Sequence, residues 1–176
     1  KLVTLNMIVK PNYSDAPKYC HYYFDLVTEN NLLDALQNSY KETLTLIASI
    51  PTEKENYSYA ERKWTTKDVL RHIIDCERVY AYRAFRFSRF DDTELPGFDE
   101  NQYIIHSQKI QSDLQSLKDE YSNIRESTLN LFKPMTENML DFKGTANTAG
   151  FTARGLGYMT VGHNIHHCNF IKTHYL

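Results

Sequence analysis

Near the end of the chain, the stretch VGHNIHHCNF (residues 161–170) holds His163, His166, His167 and Cys168. Residues four apart lie one turn above each other on a helix, so His163 and His167 share a face and their imidazoles can reach one metal ion. Stepping by three and four from Leu156 through Met159 or Thr160 to His163, His167 and Phe170 or Ile171 traces the apolar stripe of a last helix. Both histidines are therefore expected to point inward. His166 stands about 100° round the helix from His167 and is expected at the stripe's edge or in solvent.

A catalytic zinc-type site usually combines three protein ligands with an open position. The third ligand is offered by DVLRHIIDCERVYAYR, where the stripe Val69, His72, Cys76, Val79 and Arg83 turns His72 inward between Leu70, Ile73 and Ile74. His72, His163 and His167 then form a three-His site for a divalent cation. Packing three imidazoles in a core without an ion would leave several ring nitrogens unsatisfied.

Such a site supports two chemistries. It can lower the pKa of bound water and deliver hydroxide to a carbonyl or phosphoryl centre. Alternatively, it can bind a substrate thiol as thiolate, the nucleophilic form. Hydrolysis calls for a base beside the water, and Asp75 and Glu77 flank the right turn. Either could instead orient an imidazole, or simply pair with Arg71, Arg78 or Lys67. Cys76 is read as a soft fourth ligand, a nucleophile or a small buried residue, and Cys168 lies off the stripe. Arg83, Arg86 and Arg89 could meet an anionic substrate, but pairing with Asp91, Asp92, Glu94, Asp99 or Glu100 explains them more simply.

The elements that must position these groups are helical. Phe24, Val27, Leu32, Leu36, Leu44 and Ile47 recur at helical spacing from about residue 19 to 50, with TENN as a break and Pro51 as the stop. A second helix is predicted over about 66–90, capped by Thr65 or Thr66. A third runs from near Ile105 to Pro134, and the last from about Thr152 to the C-terminus. No convincing strands are read. Four amphipathic helices predict an all-α four-helix bundle over residues 19–176, preceded by an irregular lead-in over 1–18. The 91–106 connection is long for a hairpin and predicts a crossover that leaves the second and third helices parallel.

Composition narrows the partners. Twenty basic against 22 acidic residues give a net charge of -2, so no basic field draws nucleic acid. Nothing at the N-terminus is apolar and long enough for a membrane span. Three cysteines without a CxxC suit free thiols in a reducing compartment, and a cytoplasmic location is the expectation.

With these residues in view, KWTTKDVLRHIIDCERVYAYRAFRFSRFDDTELPGFDE and TARGLGYMTVGHNIHHCNFIKTHYL resemble the DinB/YfiT-like superfamily of small metal-binding four-helix bundles. The similarity lies in a Trp before the helix, a His within it and HxxxH on the last helix. The resemblance places the metal ligands on His72, His163 and His167. It also implies an up-down-down-up bundle, a homodimer, and zinc or nickel as the ion. The activity it implies is a thiol transferase or a metal-dependent hydrolase acting on a small molecule, with a low-molecular-weight thiol as co-substrate in the first case. The alternative is a non-catalytic metal-binding dimeric bundle.

Overall fold

The computed structural model describes residues 7–176; the first six residues of the lead-in lie outside the described part. The helices are α1 (His21–Leu26), α2 (Leu32–Ser49), α3 (Thr66–Ser88), α4 (Glu100–Ser107), α5 (Leu114–Phe132), α6 (Glu137–Asp141) and α7 (Ala153–His174). Local chemistry sets the main boundaries. The Asn31 side chain caps α2, and Pro51 follows its end. Thr65 and Asp68 form a reciprocal capping box on α3, with bonds of 3.1 and 2.9 Å. Thr152 Oγ1 accepts from Gly155 N at 3.0 Å to start α7.

Side-chain contacts fix the directions of α2, α3, α5 and α7, the bundle proper. On α3 and α5, Arg71 meets Glu120 and Glu77 meets Arg125, so the two run parallel. His72 meets His167 while Tyr80 meets His163, so α3 and α7 are antiparallel. Leu32 lies over Gly157 and Thr43 touches Cys168, so α2 runs with α7. The bundle is up-down-down-up, as expected.

Two expectations are corrected. Helical structure does not run continuously from Ile105: α4 stops at Ser107, and α5 starts only after Asp113, whose carboxylate accepts from Ser116 N at 2.8 Å. Ile110 falls in the turn between the two helices and belongs to neither. A short hairpin is also present, with β1 (Lys143–Ala146) antiparallel to β2 (Ala149–Thr152). Its loop residues Asn147 and Thr148 take positive φ values of 50° and 63°, the twist that suits a two-residue hairpin loop. Leu95 bridges to Ala146, strapping the crossover to the hairpin.

The core has two apolar clusters separated by a buried polar layer. Leu36, Tyr80, Leu129 and Val161 belong to one; Leu46, Ile74, Tyr121 and Cys168 belong to the other. Between them lie Ser39, Thr43, Glu77, Arg125 and Asn164, all buried. Arg125 is wholly enclosed. Its Nε and Nη2 donate to the two Glu77 oxygens at 2.8 Å each, Nη1 to the Leu36 carbonyl and Ser39 Oγ, and Nη2 also to Asn164 Oδ1.

α1 sits directly on α7, because a Cβ at Gly162 would fall 2.0 Å from the Tyr23 carbonyl oxygen. Alanine in a helix normally gains about 1 kcal/mol over glycine, but this contact is backbone and cannot give way cheaply. Gly162→Ala is therefore expected to cost about 1–2 kcal/mol net in urea unfolding. An unchanged or raised midpoint would contradict the close approach.

Candidate metal centre

His72 projects from α3, and His163 and His167 project from successive turns of α7. Their Nε2 atoms form a nearly equilateral triangle: 3.0 Å from His72 to His163, 3.1 Å from His72 to His167, and 3.1 Å from His163 to His167. In a neutral imidazole each ring nitrogen either donates or accepts. Three Nε2 atoms in mutual contact must therefore include two of the same kind, so hydrogen bonding alone cannot satisfy the triangle. A shared cation can. Donors about 2.1 Å from one ion stand about 3.0 Å apart at right angles and about 3.4 Å apart at the tetrahedral angle, and the observed edges fit the lower part of that range. Among the described residues, these are the three His, Cys, Asp or Glu groups whose ligand atoms all lie within 4.8 Å of one another.

The surroundings favour unprotonated imidazoles. His72 and His163 are buried and His167 is partly so. Burial, with His166 adding repulsion, pulls His72 down to about 4. Burial and the neighbouring His72 and His166 pull His167 to about 3, and burial with the other histidines drives His163 well below its usual value. Aromatic rings fix the imidazoles. Trp64 lies 4.9 Å from His72 between ring centres, and Tyr23 and Tyr80 each lie 5.6 Å from His163.

The other candidates take different places. Cys76 Sγ lies 3.6 Å from His72 Nδ1, but its sulfur is outside the ligand triangle, and burial pushes its thiol up to about 12. Asp75 pairs with Arg78 at 3.1 Å, and Glu77 gives both oxygens to Arg125. Among the described residues, neither carboxylate hydrogen-bonds an imidazole. His166 sits half-buried at the edge, its Nδ1 3.2 Å from Tyr22 Oη. Cys168 faces away from the triad and is buried against Thr43 and Asn164. Arg86 pairs with Asp91, while Arg83 donates to the Pro96 carbonyl at 2.9 Å.

A cleft of about 330 Å³ opens beside His167, walled by Tyr59, Trp64, Phe170 and Tyr175. That volume lies within the range of small-molecule sites. His72 and His163 do not line it. Tyr175 Oη donates to the Trp64 carbonyl at 2.8 Å, tying the wall-forming loop to α7. The clustered Tyr57, Tyr59 and Trp64 are the sequence signal that this loop covers something.

The family model for the DinB superfamily matches residues 35–171. The chain belongs to that superfamily. No curated protein matches it. Among solved structures it is similar to YfiT from Bacillus subtilis, with a TM-score of 0.72 and 15% identity over 93% of this chain and 90% of that one. That protein is described as a "probable metal-dependent hydrolase with an unusual four-helix bundle topology". The chain is also similar to the DinB-like protein YjoA from Bacillus subtilis, with a TM-score of 0.60 and 17% identity over 82% and 89% of the two chains. Both likenesses concern the fold. No helix among the described residues is long and apolar enough to cross a membrane.

Proposed function

We propose that the chain is a metal-dependent enzyme in which His72, His163 and His167 hold one divalent cation, zinc or nickel, and that it transfers a small thiol to an electrophilic small molecule. The observation that carries this reading is the Nε2 triangle, with edges of 3.0, 3.1 and 3.1 Å, next to an open cleft. Bound there, the cation would supply Lewis acidity that favours the thiolate over the thiol.

The chain's own residues do the rest. The three imidazoles present neutral nitrogens, Trp64 packs on His72 and Tyr23 and Tyr80 on His163, and the aromatic cleft walls offer an apolar surface to a bound substrate. Thiol transfer is preferred over hydrolysis because Asp75 and Glu77 are both tied to arginines and offer no base at the triad. Hydrolysis is the second reading, supported by the description of YfiT.

The test uses untagged protein stripped of metal and reloaded with zinc or nickel. Loading to a hundred times the dissociation constant stabilises the fold by about 2.7 kcal/mol, so melting should rise by roughly 5–10 °C. Loaded protein is then offered electrophiles with and without small thiols. Product that needs both metal and thiol supports transfer, and product that needs metal alone supports hydrolysis. No metal uptake, or turnover equal in the stripped protein, would overturn both.

A further inference from the structure

The cleft beside His167 carries charge of one sign. Its charged lining residues are Arg62 and Lys63; His166, His167 and Asn101 add polar edges, and no carboxylate lines it. This is notable in a chain whose acids outnumber its bases, 22 to 20. Arg62 has an ion-pair partner in Glu61, 3.8 Å away, with both side chains about nine-tenths exposed. An ion pair so exposed is weak and leaves the guanidinium available.

The loop is built to keep these cations at the mouth. Arg62 takes a φ of +60°, in the left-handed region that a non-glycine residue seldom occupies. Ala60 O accepts from Lys63 N at 3.3 Å, Ser58 Oγ donates to Lys63 O at 3.0 Å, and Tyr175 holds Trp64 next door. Two cations at the rim, four aromatic walls and an imidazole at the inner edge make a surface for a molecule with an acidic end and an apolar body.

We infer that the substrate of this cleft is a small organic anion whose carboxylate is read by Arg62 and Lys63 while its apolar body lies against Trp64, Phe170 and Tyr175. The inference rests on the proposed reaction only in placing the substrate's reacting group toward His167. Arg62 and Lys63 are then specificity residues.

Trp64 is the chain's single tryptophan, so its emission reports on the cleft directly. Zinc-loaded and metal-free protein are titrated with phenylacetate and with its neutral amide, phenylacetamide. Two solvated ion pairs are worth about tenfold together, so phenylacetate should saturate the signal at about a tenfold lower concentration. In the R62Q/K63Q double variant the preference should fall to about twofold or less at unchanged zinc content, whereas R62K/K63R should keep most of it. Equal binding of acid and amide, no saturable response to either, or a full preference surviving in R62Q/K63Q would overturn the inference. In the last case the carboxylate would be held elsewhere, for instance by the metal. The metal-free titration separates the two ideas: it keeps the preference even if the chain takes up no zinc.

Discussion

Replacing His163 by alanine is expected to abolish tight metal binding. His163 supplies one vertex of the nitrogen triangle, at 3.0 and 3.1 Å from the other two. Loss of a residue that merely orients a ligand costs about 10–100-fold in affinity. Loss of one ligand of three should exceed that, at roughly 1,000-fold or more, and should remove metal-dependent turnover with it. Emptying this buried position costs about 2–5 kcal/mol, so circular dichroism is used to check that the variant is folded. Metal content after gel filtration and a competition titration with a chelator measure the effect. Full occupancy in H163A would remove His163 from the site.

The second large effect concerns stability. Arg125→Ala leaves Glu77 buried among α2, α3, α5 and α7 without its bidentate partner, and strips Ser39, Asn164 and the Leu36 carbonyl of one donor each. Breaking a buried pair from one side costs about 3–5 kcal/mol, a large share of the roughly 5–15 kcal/mol that holds a domain together. Urea unfolding of R125A should show that loss. The double replacement E77L/R125M removes both charges and should recover much of it, since apolar groups of similar size often replace an ion pair at little net cost. A loss below about 1 kcal/mol in R125A would mean that water reaches the pair. Because Glu77 belongs to α3 and Asn164 follows His163 on α7, the layer also ties together the two helices that carry the triad.

The triad was legible because its signal is periodic. His163 and His167 fall one turn apart on a stripe of apolar residues, and His72 falls on the matching stripe of α3, so inward orientation followed from spacing alone. The four long helices were legible for the same reason, with Pro51 and the Thr65–Asp68 box as punctuation; their directions came from the long 91–106 connection and the family resemblance. The hairpin was not: GTANTAG offers small residues without alternation, and its loop uses Asn147–Thr148 where Asn-Gly would be the strong signal. The break before α5 was marked by Asp113 and Ser116, the pair that caps it, which a single helix drawn from Ile105 passed over. Glu77 looked like a base because its sequence neighbours are arginines and His72; its real partner stands 48 positions away on another helix, a distance that periodicity does not span. The loop's clustered aromatics were legible, but the cleft was not, because Tyr59 and Trp64 meet Phe170 and Tyr175 only in the folded chain.

The most direct test of the central claim is X-ray absorption at the zinc edge of untagged, zinc-loaded protein. One ion per chain is predicted, with three imidazole nitrogens at about 2.0–2.1 Å and the remaining coordination from light, exchangeable ligands. A sulfur at about 2.3 Å, which would bring Cys76 or another thiol into the shell, or fewer than three imidazoles, would contradict it.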